Sequence, residues 1–129
     1  MATVRHHVVV DAPADDAWTL LGDPTRLTEW FPGVTACVVE GTTRTITLAT
    51  GLVMPEELIT VDPLQRRFQY SLRTPLVTSH LSTLDVLDVD ADRCVCSYSA
   101  DAVPPVMALV IAGAAAEGLQ RARRLLEGA

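Results

Sequence analysis

Few side chains in this sequence could move a proton inside a protein, and their spacing decides which of them could meet. Glu56 and Glu57 open the run Glu56-Glu57-Leu58-Ile59-Thr60-Val61, where strand alternation groups Glu57 with Ile59 and Val61 on the apolar face. A carboxylate on an inner face is costly unless it is paired, solvated or titrates upward. Glu57 is therefore either a cavity carboxylate able to act as acid or base, or half of a structural ion pair with Arg44 or Arg73. His80, in Ser79-His80-Leu81-Ser82, has the pKa range for proton transfer near neutrality. A lone histidine in a strand serves equally well as a hydrogen-bonded structural group. Tyr70 and Tyr98 carry hydroxyls that could reach a ligand or find a partner in the core.

Metal chemistry has less to work with. Cys94 and Cys96 share one strand face, but there is no second close Cys/His pair to complete a zinc site, so they read as buried thiols, and with Cys37 the odd count gives no disulfide framework. His6 and His7 point to opposite faces of one strand. Asp11 and Asp62 stand beside prolines and read as caps or Asx-turns. No metal and no cofactor is expected.

The elements that must position these groups follow from period and punctuation. The chain has 129 residues, 49% hydrophobic, with mean hydropathy +0.27, enough for one domain with its own core. Its net charge of −6 and a basic complement made only of arginine make a poor surface for nucleic acid. The N-terminus lacks the apolar stretch of a secretory signal, and the apolar run from Val103 to Ala116 is too short and too proline-broken to span a membrane. A cytoplasmic protein, monomeric or homodimeric, is the expectation.

Val4–Val10 is a β-branched run, and Pro13 opens a helix over Ala14–Leu21 with Asp15 and Asp16 in its first turn. A second short helix covers Thr25–Trp30. After Gly33 the period becomes alternating, and Val34–Glu40, Thr43–Thr50, Glu56–Val61, Arg67–Arg73, Val77–Val89 and Cys94–Ala100 read as strands joined by short turns, hence antiparallel. Pro104-Pro105 starts a final helix reaching about Glu127. Its small residues, Ala108, Ala112, Gly113, Ala114, Ala115, Ala116 and Gly118, are read as leaving space between helix and sheet.

With that order in place, Val10-Asp-Ala-Pro-Ala-Asp-Asp-Ala-Trp18 resembles the opening of the START-like (SRPBCC) superfamily of polyketide cyclase/dehydrase and lipid-transport proteins, and Trp30-Phe-Pro-Gly-Val34 resembles its second-helix exit. Gly41–Gly51 and Glu57–Asp62 look most like the branch that includes plant abscisic acid receptors and their bacterial relatives. The resemblance implies an α+β helix-grip fold: a seven-stranded antiparallel sheet wrapped around a long C-terminal helix, two short helices after the first strand, and a ligand between sheet and helix. It implies mouth loops at Thr50–Met54, with Gly51 and Leu52, and at Thr74–Thr78, with Pro75. It places Phe31 where the receptors hold a lysine and Glu57 at a pocket glutamate. His80, Ser82, Ser97 and Gly118 fall at further pocket positions. Trp30 and Phe31 would lie near the mouth.

The expected wall is therefore Phe31, Glu57, Tyr70, Leu72, His80, Ser82, Ser97, Val110, Ala114 and Gly118, less polar than the receptor pockets. The function this implies is binding of an apolar small molecule of polyketide, lipid or isoprenoid type. The alternative is a polyketide cyclase or aromatase using Glu57, His80 or a tyrosine for proton transfer. A third possibility is an interaction partner with an exposed apolar patch on the Thr50–Met54 loop.

Overall fold

The computed structural model describes residues 1–128. Strand β1 (Ala2–Val10) leads into helix α1 (Ala14–Leu21), a 3-10 turn (Pro24–Arg26) and the short helix α2 (Leu27–Trp30). Strands β2 (Val34–Glu40), β3 (Thr43–Leu48), β4 (Val53–Asp62), β5 (Arg67–Leu72), β6 (Ser79–Asp90) and β7 (Arg93–Val103) follow, and helix α3 (Pro105–Glu127) closes the chain. The strands form one antiparallel sheet in the order β1-β7-β6-β5-β4-β3-β2, so hairpins build it sequentially and the first strand returns to pair with the last. This is the helix-grip architecture that the sequence implied.

Alternation is clearest in β7, where Cys94, Cys96, Tyr98, Ala100 and Ala102 are all buried and the residues between them are not. In β3 the threonines Thr43, Thr45 and Thr47 take one face, leaving Arg44 and Ile46 on the buried one. Strand β4 starts earlier than the expected Glu56 and runs through Pro55. The Pro55 carbonyl accepts from the Arg73 amide. A residue's N–H and C=O point to the same neighbour, so the missing donor faces a place where β5 has already ended.

A bulge between Leu58 and Thr60 has a larger consequence. One extra residue reverses the parity of side chains on either side of it. Glu56 and Leu58 pair with Leu72 and Tyr70 on the inner face, while beyond the bulge it is Val61 that pairs with the buried Phe68. Glu57 therefore does not share a face with Val61. It lies on the outer face, opposite Thr43 and Ser71, and accepts a hydrogen bond from Thr42 Oγ1 at 2.7 Å.

Helix α3 begins at Pro105, whose missing N–H is not needed in the first turn, and ends at Gly128 in the left-handed region (φ 74°). It buries Ala108, Ile111, Ala112, Ala115, Gly118, Leu119 and Ala122 and packs on β1 and β7. Ala108, Ala112, Ala115 and Gly118 on this stripe bring the helix close and do not leave the space expected of them, whereas Ala114 borders a cavity. A Cβ at Gly118 would stand 3.1 Å from the Trp30 ring and 3.2 Å from the Trp30 carbonyl, so Gly118 is where α3 meets the end of α2. Gly113, by contrast, would meet nothing within 4 Å.

Two substitutions separate these roles. Gly118→Val should lower the free energy of urea unfolding by about 1–3 kcal/mol through overpacking. Gly113→Ala should raise it by up to about 1 kcal/mol through helix propensity. Equal effects of the two would contradict this packing.

Candidate functional site

The part of the inner sheet that α3 does not reach is covered from the side by α2 and the segment after it. Between them lies a cavity of about 340 Å³. Its floor is Ile46 and Leu48 of β3, Met54 of β4 and Tyr70 and Leu72 of β5. Met107, Val110, Ile111 and Ala114 of α3 form the roof, and Leu27, Phe31, Pro32 and Val34 one side. The mouth is rimmed by Thr50 and Leu52 from the β3–β4 loop and by Leu76 from the β5–β6 loop. Leu52, Leu76 and Val110 are each about half exposed, so the rim is apolar as well as the interior. Glu56 is the one carboxylate on the wall among the described residues, and Tyr70 is its neighbour one cross-strand pair away.

Glu56 is 2% exposed and pairs with Arg44, also 2% exposed, at 2.6 Å from Arg44 Nε to Glu56 Oε1. The two residues face each other directly across β3 and β4. Burial pushes the Glu56 carboxyl above its ordinary range, and the adjacent guanidinium opposes that shift. The guanidinium carbon of Arg44 sits 5.1 Å from the Phe68 ring centroid and 5.0 Å from that of Tyr70, within cation–π range. Arg44 Nη1 donates to the Pro24 carbonyl at 3.3 Å. The charge is thus held between two aromatic rings and a helix-linker carbonyl.

Behind Tyr70 runs a second polar set. The Leu72 amide donates to His80 Nδ1 at 2.8 Å, which places the proton of the neutral ring on Nε2. His80 Nε2 is 2.7 Å from Ser82 Oγ, the Tyr98 hydroxyl donates to the same oxygen at 2.7 Å, and the Tyr70 and Tyr98 hydroxyls are in contact. Burial lowers the His80 pKa from near 6.5 to about 4, partly opposed by Asp101. Burial likewise raises Tyr70 to about 12, with the Glu56 charge adding to it. At neutral pH this cluster is an uncharged hydrogen-bonded layer that fixes Tyr70 against the cavity.

Of the expected wall residues, Phe31, Tyr70, Leu72, Val110 and Ala114 line the cavity. His80 and Ser82 are buried on the same side of the sheet but stand one layer behind, in contact with Tyr70. Ser97 is on the outer face, because Cys94, Cys96 and Tyr98 take the inner one. Gly118 lies under Trp30, away from the cavity. Glu57 and His80 stand on opposite faces and cannot act as a pair on one substrate. Gly51 (φ 90°) and Pro75 are exposed turn residues, and their neighbours Leu52 and Leu76 touch the cavity. Leu52 was expected at this mouth. Arg44 and Glu56 were not expected together, although Arg44 was named as a partner for the adjacent carboxylate.

Other assignments sort themselves in the same way. Cys94 and Cys96 are fully buried, Asp62 Oδ1 accepts from the Leu64 and Gln65 amides as an Asx-turn, and His6 and His7 are exposed. Asp11 does not cap α1; Pro13 occupies the cap position with no side-chain bond. Among the described residues no cluster of three or more His, Cys, Asp or Glu side chains could hold a metal ion, and no helix is long and apolar enough to cross a membrane.

Residues 1–127 match the family model for polyketide cyclase/dehydrase and lipid transport. The protein XoxI from Bacillus cereus superposes with a TM-score of 0.90 at 20% identity, over 98% of this chain and 96% of its own. The Zhui aromatase/cyclase from Streptomyces sp. R1128 gives 0.81 at 21% identity, over 98% and 93%. Truncated norcoclaurine synthase from Thalictrum flavum gives 0.79 at 24%, over 96% and 92%. At these identities the likeness is one of fold. No curated protein sequence matches the chain. The family match does not single out the abscisic acid receptor branch.

The depressed His80 pKa has a signed consequence. Between pH 6.5 and 4 the unfolded chain binds a proton that folded His80 refuses, so stability present above pH 6.5 is lost as the pH falls. A shift of this size is worth about 3 kcal/mol. His80→Asn, whose amide oxygen can accept from Leu72, should flatten the dependence of the melting temperature on pH in that window. An unchanged slope would remove His80 as its source.

Proposed function

The chain belongs to the polyketide cyclase/dehydrase and lipid-transport family, and from that premise we propose that it binds an apolar small molecule carrying a hydrogen-bonding oxygen. The observation that carries this reading is the wall itself. It is built of aliphatic, aromatic and methionine side chains, with Glu56 and Tyr70 together at one place on it. Apolar enclosure with a few convergent polar groups is the usual character of a small-molecule site. The ligand's hydrocarbon body would lie against Ile46, Leu72 and Ile111, and its hydroxyl would donate to the Glu56 carboxylate beside Tyr70. A neutral ligand suits this wall better than an anion, because the Arg44 charge is already taken by Glu56.

The placement of Glu56 supports a second reading, a cyclase. Ring closure of a poly-β-ketone needs a base to take a proton from an activated CH₂, so that the resulting carbon attacks a carbonyl of the same chain. It also needs a donor to protonate the alkoxide that forms. Glu56 could take that proton and return it to the alkoxide, with the Tyr70 ring lining the wall beside it. Orientation of the folded chain by the cavity would supply much of the rate. The aromatase/cyclase name of one structural neighbour agrees with this reading.

Binding is tested by thermal unfolding with 1-tetralone and 2-naphthol as probes. A probe at one hundred times its Kd should add about 2.7 kcal/mol of stability. Ala114→Phe, which fills the roof, should keep the fold and abolish the gain. No stabilisation by either probe, or an equal gain in Ala114→Phe, would overturn the reading. The cyclase reading is tested with an acyclic poly-β-ketone thioester. Glu56→Gln should slow closure by about 10²-fold or more with binding retained, and an unchanged rate would leave binding alone.

A further inference from the structure

A second chamber lies behind the large cavity, on the far side of Leu27 and Tyr70, which line both. Its other lining residues include Trp30, Arg44, Asp23 and Tyr98. Its volume is about 10 Å³, close to the least space that one water requires.

Two of its lining side chains carry hydrogen-bond donors that find no acceptor among the described residues: Trp30 Nε1 and Arg44 Nη2. Both residues are nearly completely buried, Trp30 at 3% and Arg44 at 2% exposure. Arg44 spends Nε on Glu56 and Nη1 on the Pro24 carbonyl, so Nη2 is its one unpaired arm. A buried donor without a partner is costly, and two beside one small chamber ask for a shared acceptor.

We infer that this chamber is a site for one water molecule, which accepts from Arg44 Nη2 and Trp30 Nε1 and joins the helical layer to the sheet. A water has two lone pairs for the two donors, and its own hydrogens can turn to the Asp23 carboxylate or the tyrosyl oxygens that border the chamber. A halide or other small anion fits the volume less well in charge. Arg44 is already neutralised by Glu56, and Asp23 adds a second carboxylate nearby. The oxygen of a ligand in the large cavity is kept out by Leu27 and Tyr70. The bridge ties Trp30, at the end of α2, to the guanidinium that holds Glu56. It is therefore a positioning site for the carboxylate on the cavity wall, whatever that cavity holds.

The test is made on ¹⁵N-labelled protein without added ligand. The Trp30 indole N–H is identified by its loss in Trp30→Phe, which leaves the signal of Trp18. In the wild type the Trp30 N–H should show a cross-peak at the water frequency whose NOE and ROE have opposite signs, as a long-held water gives. A crystal structure should place one density peak within hydrogen-bond distance of both nitrogens. No water cross-peak, or no such density peak, would overturn the assignment. Crystals soaked in bromide should show no anomalous peak beside Arg44, and a peak there would overturn it in favour of an anion site.

Discussion

One helix cannot cover seven strands. At about 4.8 Å between neighbours the sheet is about 29 Å across, while an α-helix with its side chains is about 10 Å wide. Helix α3 resolves this by sitting close over β1 and β7, where its stripe of alanine and glycine lets the backbones approach. The other half of the inner face, over β3 to β5, is left to α2, its following segment and the side of α3. Those elements meet above it without filling it. The cavity is the residue of that mismatch, so its position follows from topology and its lining from the parity of each strand.

A cavity wall with a buried charge in it needs support from behind, and the sheet provides it in two connected layers. Arg44 neutralises Glu56 and is itself held by Phe68, Tyr70 and the Pro24 carbonyl. Breaking such a pair by removing one partner typically costs 3–5 kcal/mol, about the same as a poor core substitution. His80, Ser82 and Tyr98 hold Tyr70 by hydrogen bonds among uncharged groups. The two polar side chains that a ligand would meet are thus fixed before it arrives, which is the condition for orienting a bound molecule.

Most of the element order was legible because its signals are local: alternation inside strands, and proline, glycine and aspartate between them. The errors were non-local. Ile59 and Val61 pointed to Glu57 as the inward carboxylate, and a bulge between Leu58 and Thr60 reversed the parity on which that inference stood. The correct signal was on the partner strand. Arg44 alternates with Ile46 and Leu48, so an inward arginine needed a carboxylate opposite it, and the hairpin register makes that Glu56. Ser97 could have been rejected from β7 alone, since Cys94 and Cys96 already set the inner parity that Tyr98 continues. The small residues of α3 carried an ambiguity that sequence could not resolve. Close approach and empty space both call for alanine and glycine, and only the position of Trp30 over Gly118 decides between them.

The central claim is that the uncovered half of the inner face is a ligand site, and methyl NMR tests it most directly. Titration of ¹³C-methyl-labelled protein with 2-naphthol should shift the resonances of Leu27, Ile46, Leu48, Leu72 and Ile111 together, with one saturation curve. Methyls of the outer sheet face, such as Val38, Ile59 and Leu87, should stay in place. Shifts confined to those outer methyls, or none at any concentration the probe allows, would contradict the account.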